Sequence, residues 1–280
     1  MKREWIKKTG LITVSVMVMG SLGVLHAAES TPVAPKENTQ VMHKTSVADM
    51  VKLIDVAGKQ RMLSQRIAKD YLYAGEKVAV SKAKKQMKAS MKEMEAIHKQ
   101  LVESINDPEI QNLLAFVQLS IEDFKSTANE PYSLDNAQLI IDLSESMLEG
   151  SQYVVNSLKK KAKVKESETV EMAGKQRMLA QRIAKYYIAY QAGIKDKNTV
   201  DQMKAAVKAF SEAHKALMAN PENTPEINRK LHDIDRLWKI VYKFYLNIEK
   251  GGLPLIVFNT TDDITRKMNQ VTEMYVKLAK

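Results

Sequence analysis

The sequence predicts an all-α protein built as two tandem up-and-down four-helix bundles. Three observations carry that prediction. The stretch Ala57-Gly-Lys-Gln-Arg-Met-Leu-Ser-Gln-Arg-Ile-Ala-Lys69 recurs as Ala173-Gly-Lys-Gln-Arg-Met-Leu-Ala-Gln-Arg-Ile-Ala-Lys185, identical at twelve of thirteen positions and offset by 116 residues. From Ser46 almost to the end, apolar residues keep the spacing of a helix face. Breaker residues divide that pattern at Gly75, Asn106-Asp107-Pro108, Asn129-Glu130-Pro131, Gly193, Asn220 through Pro225, and Gly251 through Pro254.

Taken in order, the chain opens with a basic stretch, Met1 to Lys8, followed by an apolar run from Leu11 to Leu25 and a small-residue site at Ala27-Ala28. This is the pattern of a cleavable signal peptide, residues 1–28, and it places the mature protein in the periplasm. The run is shorter than the roughly 20 residues a spanning helix needs. Residues 29–45 carry two prolines and no periodicity and read as a linker. Eight helical segments follow: 46–74, 78–105, 109–128 and 134–160, then 164–192, 198–218, 226–249 and 256–279. They make two repeats, 46–162 and 163–280. The duplication extends past the signature, because Met87, His98 and Leu101 meet Met203, His214 and Leu217 at the same offset. Residues 162–169 hold neither Gly nor Pro. A helix running on from one repeat into the next would stack the bundles end to end, and that is the arrangement expected. A break near Val164 would instead allow side-by-side packing.

Composition excludes several function classes. The chain has 43 Lys and Arg against 33 Asp and Glu, with no cysteine. Losing residues 1–28 removes a net +3, and the remaining excess is well mixed with acidic residues. No basic block or aromatic platform points to nucleic acid. There is no nucleophile–base constellation, glycine-rich phosphate loop or metal-ligand pair, so no catalytic residue, metal or cofactor is expected. His98 and His214 match across the repeats and lie seven residues after apolar positions, which points to packing. Trp238 is expected to anchor the core.

The signature resolves into three faces on a helical wheel. With Arg61 at zero, Leu53, Val56, Leu63, Ile67 and Tyr71 fall about 80° to 160° away on one side and form the core stripe. Asp55, Lys59, Arg66 and Asp70 fall opposite and read as a solvated, charge-alternating face. Around Arg61 lies a third stripe that includes Ala57, Gly58, Ser64 and Gln65; repeat two places Ala173, Gly174, Ala180 and Gln181 around Arg177. Glycine inside a helix costs about 1 kcal/mol relative to alanine, so its place here implies close approach of another helix. An arginine in such a seam is desolvated, and no acidic residue lies on its own stripe. Two such helices meeting face to face leave two guanidinium forks that a small planar oxyanion would satisfy. The competing reading is an arginine that reaches water over a tight helix pair.

This signature resembles that of PilJ-type sensory domains, the extracytoplasmic part of some chemoreceptors, and is similar to the P-box of NarX/NarQ-type nitrate and nitrite sensors. The resemblance covers both repeats. It implies that arginines from two copies of the helix clamp one anion, with Arg61 and Arg177 at the arginine position and Gly58 and Gly174 at the close-approach position. Stacked bundles would need a homodimer with one site per level, whereas side-by-side bundles allow an intrachain pair. The expected function is a sensory protein that binds nitrate or nitrite through Arg61, Arg177, Gly58, Gly174, Ala57, Ala173, Gln65, Gln181 and Ser64. Its signal would pass to a separate membrane histidine kinase or chemoreceptor. The alternative is a ligand-free helical scaffold of a pilus or chemoreceptor complex.

Overall fold

Among the described residues, eight α-helices follow the expected segments: α1 (Val47–Gly75), α2 (Val80–Ser104), α3 (Pro108–Ala128), α4 (Leu134–Ala162), α5 (Lys165–Gln191), α6 (Lys197–Met218), α7 (Pro225–Leu246) and α8 (Pro254–Leu278). They belong to a computed structural model that describes residues 46–163 and 165–279. The signal-peptide and linker readings lie outside those residues. No strand occurs among the described residues, and none of their helices is long and apolar enough to cross a membrane.

Local chemistry starts the helices where the breaks predict. Ser46, Asp107, Ser133, Asp196 and Thr224 each accept a hydrogen bond from the backbone N–H three residues on. Such a cap satisfies a donor the helix leaves open, worth about 1 kcal/mol. Pro108, Pro225 and Pro254 sit in the first turns of α3, α7 and α8, where a missing N–H costs nothing.

Packing follows chain order within each half and fits helical bundles. In the first, α1 lies against α2 and α4, and α3 against α4; in the second, α5 lies against α6 and α8, and α7 against α8. The core runs through these contacts. Tyr71 and Tyr187 are buried on the predicted core stripe, and His98, His214 and Trp238 are buried on other helices. The Trp238 indole stacks on Phe210 with ring centroids 4.1 Å apart.

The end-to-end expectation is corrected by the most extensive helix contact among the described residues, between α1 and α5. The halves lie side by side. α4 stops at Ala162, Lys163 takes a left-handed conformation (φ 51°), and α5 begins at Lys165. A non-glycine residue rarely adopts that conformation, so the break has no compositional mark. Asp262 of α8 accepts hydrogen bonds from both Lys69 of α1 and Gln181 of α5, which sets these two at one level. Lower down, Arg61 reaches Glu171 and Arg177 reaches Asp55. The signature helices therefore run parallel, related by an approximate two-fold along their length.

Candidate functional site: the paired signature helices

The signature repeats in the sequence because it repeats across that two-fold. Arg61 and Arg177 are both fully buried. Helical side chains lean toward the N-terminus, so each guanidinium reaches back along the seam toward the other helix. Arg61 donates from Nη1 to Gln152 Oε1 of α4 at 2.5 Å and to Glu171 Oε1 of α5 at 2.9 Å. Arg177 donates from Nη1 to Asn269 Oδ1 of α8 at 2.7 Å and from Nη2 to Asp55 Oδ1 of α1 at 2.6 Å. Each arginine thus holds an amide on its own half's last helix and a carboxylate on the opposite signature helix.

The wheel placed Asp55 on a solvated face, and this is a second correction. Asp55 and Glu171 sit at matching positions, six residues before each arginine, and their carboxylates supply the counter-charge that the seam lacked. Each helix carries its own acids off the arginine stripe, but across a two-fold that face meets the partner's guanidinium. Asp70, also read as solvated, is fully buried.

The glycines make room for guanidinium rather than for backbone. A Cβ on Gly174 would lie 3.0 Å from Arg177 Nη2. A Cβ on Gly58 would lie 3.2 Å from Arg61 Nη2 and 3.5 Å from Arg177 Nη2, so both cationic groups converge on Gly58. Ala57 and Ala173 are fully buried in the same seam. The remaining candidates bond elsewhere. Ser64 Oγ donates back to Arg61 O of its own helix. Gln65 Nε2 donates to Ser144 O of α4 at 2.8 Å, and Gln181 Nε2 to Thr265 Oγ1 of α8 at 2.7 Å.

The two halves of the site are not equal. Arg177 also donates from Nε to Gly174 O. Arg61 Nε and Nη2 are buried and have no hydrogen-bond partner among the described residues. Burial pulls the Arg61 guanidinium below its ordinary pKa, Glu171 opposes that shift, and Arg177 adds to it. A guanidinium stays cationic through any such change, so the open donors carry positive charge in a buried seam.

About two helical turns further along is a layer that the sequence reading missed. Lys69 reaches across to Asp262 of α8 at 2.7 Å, and Lys185 reaches across to Glu145 of α4 at 2.6 Å. Burial brings the Lys185 ammonium down to about 8, with Glu145 opposing. Burial works to raise the Glu145 carboxyl, but Lys185 and Arg182 outweigh it and hold it at about 2. The recurrence of these lysines within the signature was the available signal. Asp70 has no counterpart acid, because Tyr186 stands at the matching position. Among the described residues, no group of three His, Asp or Glu has the arrangement to hold a metal ion.

Residues 49–113 and 153–248 match the PilJ family, described as the N-terminal region of type IV pili methyl-accepting chemotaxis transducers. This chain belongs to the PilJ family. The matched segments contain both copies of the signature and both arginines. PilJ domains are sensory, typically periplasmic and generally non-catalytic, and the family sets this chain in a chemoreceptor or transducer context. Neither a curated protein nor a solved structure matched the chain.

Proposed function

We propose that this PilJ chain is a periplasmic sensory protein whose α1–α5 pair takes up a small oxyanion, nitrate or nitrite, between Arg61 and Arg177. Residues 1–28 would serve as the signal peptide and 29–45 as the linker. The repeats 46–162 and 163–280 would form the two four-helix units, and a membrane histidine kinase or chemoreceptor would read the response. The observation that carries this reading is the pair of open donors on Arg61. A buried charged donor without a partner costs on the order of 1–3 kcal/mol, and Nη2 faces the Gly58 gap that Arg177 shares. An oxyanion there accepts from both guanidinium groups.

The resident carboxylates set the mechanism. A bound anion competes with Asp55 and Glu171 for the same forks, and these are the ion pairs that tie α1 to α5. Binding then favours an arrangement of the pair in which the carboxylates are released, and a population shift carries the signal. Titration calorimetry with nitrate, nitrite and chloride tests this. Saturable heat with nitrate or nitrite and none with chloride is expected, and Arg61→Met should abolish it while circular dichroism stays unchanged. No heat with nitrate or nitrite, or an equal response to chloride, overturns the reading.

A second reading has its own support. Asp55 and Glu171 already neutralise both arginines, as a ligand-free scaffold within a receptor complex would require. It predicts that no anion moves the melting temperature.

A further inference from the structure

A second site lies away from the arginine pair, in the groove where α2 and α3 splay beside the C-terminal end of α1. Its volume is about 890 Å³, a size that suits a drug-sized ligand. The floor is apolar. It is built from Met87 and Met91 of α2, the ring of Tyr71, and Tyr132. The two tyrosine rings are 5.7 Å apart at 46°. Their hydroxyls are already engaged, Tyr132 with Glu76 Oε1 at 2.6 Å and Tyr71 with Pro131 O at 3.1 Å, so what they offer the groove is ring surface. Tyr132 fits only because position 75 is glycine: a Cβ there would lie 2.0 Å from the ring.

The rim is cationic. Five lysines and two glutamates line the groove, a net +3. Lys84, Lys88 and Lys92 form a column at i, i+4 and i+8 on α2, beside the methionines. Like charges at that spacing repel by a few tenths of a kcal/mol per pair. Elsewhere the chain relieves such charge within the helix, as at Lys99–Glu103 and Lys208–Glu212. In this groove only Lys125 has an ion-pair partner, Glu95 at 2.5 Å. The other four have no carboxylate within 4.0 Å among the described residues.

The second repeat provides an internal control. Its groove between α6 and α7 uses the matching positions Met203, Lys204, Val207 and Lys208. It is smaller, at 530 Å³. Val200 replaces Lys84, and Glu212, which pairs with Lys208 at 3.9 Å, stands where repeat one has Ala96. Three lysines face two glutamates there, a net +1. The apolar floor is common to both grooves, and the unrelieved charge belongs to the first.

We propose that the α2–α3 groove of repeat one binds an amphipathic organic anion, an aromatic or medium-chain aliphatic body carrying one carboxylate or sulfonate. The body lies on Tyr71, Tyr132, Met87 and Met91, and the anionic head pairs with the Lys84–Lys88–Lys92 column. Charge complementarity selects this occupant: a neutral apolar ligand would leave the column unrelieved, and an inorganic anion would leave the floor wet. The site requires nothing of the arginine pair, so either reading of that pair can fail without it.

The probes are 1-anilinonaphthalene-8-sulfonate, followed by its fluorescence, and dodecanoate below its micelle concentration as competitor, with the full chain. Expected are saturable fluorescence, displacement by dodecanoate, and at least a tenfold weaker Kd in the double variant Lys84→Glu/Lys88→Glu. These two side chains are exposed, so the variant should melt normally. Lys204→Glu/Lys208→Glu should leave the affinity within twofold. Absence of saturable binding overturns the proposal. So does dodecanol competing as well as dodecanoate, or equal loss in the two double variants.

Discussion

The two copies of the signature share twelve of thirteen residues yet differ in what surrounds them. Arg177 is held by Asn269, Asp55 and its own helix, whereas Arg61 keeps two buried donors open. Lys69 is followed by a buried acid and Lys185 by a tyrosine whose ring lies 4.2 Å from its ammonium. Identical helices thus acquire different electrostatics from their neighbours. The comparison teaches that the repeat sets the position of each charge, while the flanking helices and the residues just beyond the signature set how well that charge is satisfied.

The sharpest way to break the near-symmetry is to remove the carboxylates one at a time. Glu171→Ala leaves Arg61 with Gln152 alone, and an uncompensated buried cation costs roughly 3–5 kcal/mol. Asp55→Ala should cost less, because Arg177 keeps Asn269 and Gly174 O. Urea unfolding of the two variants measures the gap, and equal losses would mean that the two arginines are equally held.

Asp70 provides the next largest effect. Burial raises its carboxyl to about 7; Lys69, whose ammonium lies 3.2 Å from Oδ1, and Arg66 oppose the shift, and Asp262 adds to it. Because the folded pKa lies above the unfolded value, its contribution to stability is fully present below about pH 4 and is lost as pH rises through 7. Asp70→Asn should therefore stabilise the protein at pH 8, on the order of 2–4 kcal/mol, and should be close to neutral at pH 4. Melting curves at the two pH values check the sign. Tyr186, at the matching position, should give no such window.

Smaller effects sharpen the contrast. Gly75→Ala drives a methyl group into the Tyr132 ring and should cost roughly 1–3 kcal/mol by overpacking; repeat two carries Gln191 at that position and has no such constraint. Ser64→Ala makes the first signature identical to the second. The Ser64 hydroxyl bonds mainly to its own helix, so the change should stay within about 1 kcal/mol by calorimetry.

Much of the fold was legible. Proline, glycine and capping residues mark seven of the eight helix starts within a few residues, and the signature's offset places the two halves in register. What was not legible follows from two physical facts. The turn at Lys163 relies on a left-handed lysine, which leaves no trace in composition, so the stacking expectation had no local evidence against it. The wheel treats one helix at a time, and the charges of Asp55 and Asp70 find their neighbours only when α5 and α8 arrive. Arg61, Arg177 and Gly58 could be picked out because an arginine among small residues is unusual on a single helix. Glu171 acts between helices and could not, while Lys69 and Lys185 were marked only by their recurrence within the signature.

The turn at Lys163 has one further consequence. It makes the pairing of α1 with α5 unimolecular. A helix pair assembled from separate chains comes apart on dilution, whereas two helices on one chain keep an effective concentration in the millimolar range for a short connection. The state of this pair should therefore be the same at nanomolar and micromolar protein.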